Sequence, residues 1–419
     1  MRISYVIITR NRRGRLLETL ARLEEHTPLP PHEWETLVVD NASEDGSVAA
    51  VHAAFPKVRT IALASNQGMP ARNHAFAQAR GEFLVSLDDD SYPAPGAIDI
   101  ALKYLSSRPF VAALTARAVL PDGKWEASAL PRVMLGGACV LRRSVIEKIG
   151  GFPGEFFRQA EEYDLSFRMW KAGYAVERHE GLIFRHDKSP GGRSSAMTHQ
   201  MDLRNNLILV ERYLPRSLRK AYRHDWIRRY CAIARREGCE SAMADGLRDA
   251  RIWAAREREG GRQTLPELLI EKLFDLETQG DLVRQWKRRH AIRRIVIADY
   301  SKNLHATWRA CTLAGLEIEA LADDRPAFAG LSHRGVPILP VSHALADKTA
   351  GKIDGVVLSN INPAQIDDRF ADLRAVFPGP ILRLWSPRLA AGIADAGCSQ
   401  MTGVSDAGRR GRSQKPLAA

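Results

Sequence analysis

Three aspartates stand in a row at Asp88-Asp89-Asp90, directly after the apolar run F-L-V-S-L at 83–87. Adjacent carboxylates repel, so such a run is costly unless water or a cation surrounds it. Hard oxygen donors suit Mg2+ or Mn2+, ions that commonly bridge to substrate phosphates. On extended backbone Asp88 and Asp90 aim at the same side. A solvated acidic turn is the plain alternative, and for this run taken alone the stronger one. Glu161-Glu162 open a helical pattern, with Asp164 behind them. One of these acids is a candidate general base, against the ordinary placement of acids at a helix N-terminus. His186 precedes the polar stretch Lys188-Ser189-Pro190-Gly191-Gly192-Arg193-Ser194-Ser195. An imidazole completes an oxygen-dominated Mn2+ site, and a cationic loop clamps phosphates. A lone histidine is more often structural.

These groups need a scaffold, and the first 120 residues supply one. The β-branched run Ser4–Thr9 reads as a strand buried on both faces. Further strands are expected at Thr36–Asp40, Val58–Leu63 and Phe83–Leu87. Helices are expected with Leu16, Leu20 and Leu23 on one stripe, over Ser47–Phe55, and over 70–79 with Ala71, Ala75 and Ala79 inward. Strand–helix alternation implies a mainly parallel sheet covered on both sides, with ligands beyond the carboxyl ends of its strands. The residues past those ends are Thr9-Arg10-Asn11-Arg12, Asp40-Asn41, Asn66-Gln67-Gly68 and Asp88-Asp89-Asp90, all expected to face one crevice. Each alone reads equally well as a cap, a turn or a strain-relieving glycine; their coincidence on one edge is the argument. Downstream, Met134–Leu141, Tyr174–Glu177 and Leu182–Arg185 read as strands. Arg143–Ile149 and Ala160–Ala172 read as helices, stopped by glycine.

The chain has 419 residues, 45% hydrophobic and 26% charged. That is ordinary for a globular protein and suggests two or three domains. No apolar stretch is long enough for a membrane span, and the N-terminus lacks the pattern of a secretory signal. Five scattered cysteines with no C-x-x-C pair argue for a reducing cytoplasm. The formal charge of +12 permits attraction to any phosphate without choosing among them. No nucleic-acid-binding signature accompanies it, so no nucleic-acid partner is expected.

Residues 213–290 read as a helical, Arg-rich region. Within 216–236, arginines flank Tyr222, Trp226, Ile227 and Tyr230, which reads as a solvated face or, more sharply, as an interfacial helix at the inner face of a membrane. Residues 291–390 restart an α/β alternation of Rossmann-like order. Its first turn, Asp299-Tyr300-Ser301-Lys302-Asn303, has no glycine, which counts against a dinucleotide site and a dehydrogenase. Residues 391–419 read as a disordered tail.

Taken as a set, V-I-I-T-R-N-R (6–12), V-V-D-N-A-S-E-D-G-S (38–47), N-Q-G-M-P-A-R-N (66–73), L-D-D-D (87–90), G-G-A-C-V-L-R-R (136–143), G-G-F-P-G-E-F-F (150–157) and E-E-Y-D-L-S-F-R (161–168) resemble the family-two glycosyltransferases of the GT-A fold, over residues 1–212. The resemblance implies an α/β nucleotide-sugar-binding domain, followed here by the helical linker and the smaller Rossmann-like domain. It implies that Thr9, Arg12 and Asp40 hold the base and ribose, and that Asn66, Gly68 and Arg72 shape the nucleotide pocket. Asp88 would meet the ribose or sugar, with Asp89 counted in the same binding set. Asp90 and His186 would ligate Mn2+ or Mg2+ on the diphosphate. Arg193 would belong to a phosphate loop, and Gly137 would lie near donor sugar and acceptor. The base of the family is usually the second acid of a Glu-Asp pair; here that position is Glu162, with Glu161 as fallback. A-D-D-R-P-A-F-A-G (322–330), G-V-P-I-L (335–339) and I-N-P (361–363) resemble the Rossmann-like module of bacterial sugar acyltransferases, which implies an accessory or docking role.

The expectation is therefore an inverting, metal-dependent glycosyltransferase. It would take a nucleoside-diphosphate-sugar donor and a saccharide or lipid-linked saccharide acceptor, in bacterial surface polysaccharide or glycan synthesis, with peripheral membrane contact. A sugar nucleotidyltransferase would need a Gly-rich loop after the first strand, where only Gly14 stands. A non-catalytic nucleotide-sugar-binding scaffold is the other alternative, which the retained acids and His186 disfavour.

Overall fold

The computed structural model describes residues 1–188, 195–346 and 353–385. Arg193 and the tail expected after 390 lie outside the described residues, and Met1–Leu384 pack as one unit.

The first sheet is built from β1 (Ile3–Thr9), β2 (Trp34–Asp40), β3 (Arg59–Ala62), β4 (Phe83–Asp88), β5 (Ser91–Pro93), β6 (Val111–Val119), β7 (Trp125–Glu126), β8 (Ala138–Arg142) and β9 (Ala175–His186). Its order is β3-β2-β1-β4-β8-β6-β9-β5, with β7 on β6. Every residue of β1 is buried, as suits its mostly apolar, largely β-branched run. The β3-β2-β1-β4 half is parallel, as the strand–helix alternation predicts. Beyond β4 the sheet turns mixed: β8 runs antiparallel to both β4 and β6. The strand expected from Met134 starts only at Ala138. The two short strands expected at 174–185 are one twelve-residue strand, β9, whose pairing with β6 shifts register twice. The intervening charged residues Arg178–Glu180 hide that continuity in the sequence.

Register brings the tips together. Thr9 pairs with Asp40 and Ile8 with Asp88. Ser91 pairs with His186, and the Asp187 amide donates to the Asp90 carbonyl at 2.8 Å. The segment expected as a helix over 70–79 is a single turn at Met69–Ala71 and a short helix at Arg72–Phe76.

Helices fill Ser195–His290. On Arg216–Arg236 the aromatic residues Tyr222, Trp226 and Tyr230 are buried, so this stripe packs within the protein rather than on lipid, while Arg216, Lys220, Arg223 and Arg228 form the solvated face the sequence suggests. The Trp226 indole donates to the Lys302 carbonyl, and Arg334 forks onto Asp225. Those contacts tie the helix to a second sheet, made of β10 (Arg294–Ala298), β11 (Glu317–Ala322), β12 (Ser332–His333), β13 (Val336–Leu339), β14 (Gly355–Leu358) and β15 (Ile381–Arg383). Its order is β12-β13-β11-β10-β14-β15, parallel except at β12. No helix among the described residues is long and apolar enough to cross a membrane.

Candidate active site

The carboxyl ends of the parallel strands open onto a cavity of about 1070 Å³, lined by Thr9, Arg12, Asn41, Asn66, Gly68 and Asp88-Asp89-Asp90 among others. Of the donor- and metal-site residues the sequence nominates, Asp40, Arg72, Gly137 and His186 are not on this wall. Asp40 is buried; one oxygen accepts the Ser43 amide and the other has no hydrogen-bond partner. Arg72 is fully buried and ties the Leu87 carbonyl to the Asp88 carboxylate. Gly137 abuts Asp88 so closely that a Cβ would collide with the carboxylate.

The three aspartates divide by their partners. Asp88, Asp90 and His186 each offer a ligand atom, and these atoms all lie within 4.8 Å of one another. Asp89 is outside that set, accepting from the Thr9 hydroxyl at 2.8 Å and from Arg12 at 2.6 Å. The Arg12 fork also reaches Asp90, at 2.7 Å. Burial pushes Asp89 up to about 7 against the pull of Arg12 and Thr9. Burial would raise Asp90 too, but His186 and Arg12 overcome it and hold this carboxyl at about 2.

His186 sits between two acids, with Nε2 3.3 Å from Asp90 and Nδ1 2.7 Å from Glu126. Burial opposes its charge, yet these two hydrogen bonds raise it to about 9. Glu126 is a residue the sequence reading missed. Its neighbours are set by strand pairing: β7 against β6, β6 against β9. A carboxylate on the far nitrogen of a metal-binding histidine fixes the ring and strengthens it as a ligand. Two carboxylates and one imidazole are a donor set that fits Mn2+, and Mg2+ less completely because of the nitrogen.

A second cavity of about 1330 Å³ adjoins the first, sharing Leu120 and Asp122 as common wall. Glu162 lines it, as do Glu126, Tyr163, Asp202 and Lys302. Glu161 is buried beside it, with one carboxylate oxygen unpartnered. Burial raises Glu162 above the ordinary carboxyl range, with Lys302 pulling the other way. Burial and the charge of Glu162 push Glu161 higher still.

The backbone leading into these acids is unusual. Phe157, Gln159 and Ala160 all have positive φ, at 21°, 70° and 63°. Such conformations in non-glycine residues are sparsely populated and persist only where surroundings enforce them. Buried Asn205 does so: its amide donates to the carbonyls of Arg158 and Gln159 at 2.8 and 2.7 Å. On the strand-tip side Gly68, at φ 68°, packs onto the Phe157 carbonyl, where any Cβ would overlap it, and the Met69 amide donates to that same oxygen at 2.6 Å.

Residues 4–166 match the model of the family described as Glycosyl transferase family 2. The uncharacterized glycosyltransferase YwdF of Bacillus subtilis is 35% identical over a match covering 26% of this chain and 41% of that protein. The chain thus spans less than half the length of that relative. An N-acetylglucosaminyl-diphospho-decaprenol L-rhamnosyltransferase of Mycobacterium tuberculosis is 28% identical, over 38% of this chain and 69% of that one. Among solved structures, S. aureus TarS 1-349 in complex with UDP-GlcNAc superposes with a TM-score of 0.48 at 16% identity, covering 80% of this chain and 98% of that one.

Proposed function

With residues 4–166 forming a glycosyl transferase family 2 domain, we propose that this chain moves a sugar from a nucleoside-diphosphate-sugar to a hydroxyl acceptor, with inversion at the anomeric carbon. The observation that carries the reading is the meeting of Asp88, Asp90 and His186 at the strand tips, one shared wall away from Glu162.

The strand-tip cavity takes the donor. Arg10 and Lys188 on its wall offer cationic partners to a diphosphate. Asp88, Asp90 and His186 would hold Mn2+ or Mg2+, which when bound supplies charge stabilisation for the departing diphosphate. Arg12 and Thr9 act mainly through Asp89, locking the acidic turn so that Asp90 keeps its direction. Glu162 accepts the proton of the acceptor hydroxyl, a contribution of about 10²–10⁴-fold in rate. Its raised affinity for a proton suits a base working near neutrality. Attack from the side opposite the leaving group inverts the sugar in one displacement. Glu161, buried and set off the cavity, supports its neighbour rather than meeting substrate. The relative acting on a decaprenol-linked sugar supports a lipid-linked saccharide acceptor and a place at the inner face of a membrane, in bacterial surface glycan synthesis.

The test is release of nucleoside diphosphate from UDP-, GDP- and dTDP-sugars by the purified chain with Mn2+, with and without a chelator. Chelator-sensitive release from one donor is the expected outcome. No release and no binding of any donor would end the reading.

A further inference from the structure

The carboxyl edge of the second sheet opens toward Glu162. Strands β10, β11 and β14 run parallel, so their carboxyl ends share one side. The residues just past them, Asp299 with Lys302, Asp323 with Arg325, and Asn360 with Asn362, all line the 1330 Å³ cavity that holds Glu162. Ligands of open α/β sheets bind at this position.

One buried polar atom on this edge lacks a partner. One oxygen of Asp299 has no hydrogen bond, although its other oxygen accepts from Arg369 at 2.9 Å. Lys302, only 9% exposed, projects its ammonium over the Tyr163 and Trp226 rings at 3.7 and 5.0 Å, on the wall of the same cavity. A buried oxygen left open in this way is ordinarily satisfied by water or a ligand.

The lining selects the ligand's chemistry. The turn after β10 carries Asp299 at φ 71° where a phosphate-binding turn carries glycine. Acidic side chains on the cavity wall outnumber basic ones about two to one, which disfavours a phosphate. Carboxylates and amides accept and donate to hydroxyls, and Trp125, Tyr163 and Tyr230 supply aromatic surface. Gln365, Asp368 and Asp372, spaced at i, i+3 and i+7, present one face of the helix Ile366–Val376 and its entry to the same space.

We propose that the carboxyl edge of the second sheet, with the Gln365–Asp368–Asp372 face, is the acceptor subsite, and that it takes an uncharged or amine-bearing saccharide whose hydroxyl is presented to Glu162. The direction of that hydroxyl rests on the transferase reading; the binding of the saccharide does not.

Saturation-transfer NMR on the full chain tests this, using methyl glycosides of glucose, galactose, mannose, rhamnose, glucosamine and N-acetylglucosamine, with Mn2+ and each of UDP, GDP and dTDP in turn. At least one glycoside should saturate. Its affinity should fall about tenfold, the worth of one hydrogen bond to a charged group, in the Gln365→Ala/Asp368→Ala/Asp372→Ala variant and in the milder Asp368→Asn/Asp372→Asn pair. Both sets change exposed helix positions, and melting curves verify their fold. No saturation by any glycoside, or undiminished saturation in a folded variant, overturns the proposal while donor binding by the unaltered chain still supports the transferase reading. Saturation that the variants abolish, in a chain that binds no nucleotide-sugar, supports the saccharide subsite and removes the transferase.

Discussion

The amide of Asn205 donates to the carbonyl of Gln159 at 2.7 Å, and this bond holds a left-handed turn immediately before the candidate base. Asn205 is fully buried on the helix Ser195–Tyr213. The strained backbone and the group that restrains it therefore come from segments more than forty residues apart. Replacing Asn205 with Leu removes the donor while keeping the approximate volume. We expect a stability loss of about 1–3 kcal/mol from carbonyls left unsatisfied. We expect kcat to fall about 10²-fold as Glu162 drifts, with donor KM nearly unchanged. A folded variant with unaltered kcat would show that the turn does not position the base.

Asp90→Asn and Asp88→Asn each remove one anionic oxygen donor from the strand-tip triad. Mn2+ affinity, followed by titration calorimetry, should drop in both. Donor turnover should fall by about 10²-fold or more, since the ion is worth several kcal/mol to a departing diphosphate. Chelation of the unaltered chain should reproduce this loss, and added Mn2+ should reverse it. Turnover that ignores both chelator and substitution would exclude the triad as a metal site.

Lys302 and Glu162 are coupled through the second cavity. Burial lowers Lys302 to about 7, while Asp202 and Glu162 pull it up. Below pH 7 the ammonium is present and lowers Glu162; above pH 7 it is lost. Lys302→Met should therefore raise the proton affinity of Glu162 at low pH. The acidic limb of kcat against pH should move upward in the variant, and the two profiles should converge above about pH 8. An unshifted limb would mean that Glu162 is not the titrating base.

A histidine cluster between the helix Arg216–Arg236 and the second sheet predicts acid sensitivity. Burial lowers His305 and His333 to about 4, with Asp225 opposing it and Arg334 adding to it. Their ordinary value is 6.5. Between 4 and 6.5 the unfolded chain binds protons that the folded chain does not, so stability is full above pH 6.5 and falls as pH drops toward 4. Each histidine contributes on the order of 1–3 kcal/mol to this loss. Urea midpoints at pH 7.5 and pH 5 should differ, and less so in a His305→Gln/His333→Gln variant. Equal midpoints for the unaltered chain would contradict the assignment.

Much of the first sheet was legible because β1, β2 and β4 carry dense apolar runs that end at polar tips, a local pattern. Asp88 and Asp90 were nominated for one crevice on the same grounds, by alternation along a strand. The sequence could not show that Asp89 is spent on Thr9 and Arg12, because that depends on the neighbouring strand end. Glu126, Asn205 and Lys302 carried no local signal. Glu126 reaches His186 across 60 residues of chain, and Lys302 enters from the second sheet. Spacing reports what neighbours along the chain do, whereas these three act through tertiary packing.

The contact of Gly68 with the Phe157 carbonyl leaves no slack between the loop on the strand-tip cavity and the turn that leads to Glu162. Movement on one side is therefore felt on the other directly, without deforming the sheet. Under the proposed function, such a link would keep Glu162 in step with the arrival and departure of the nucleotide.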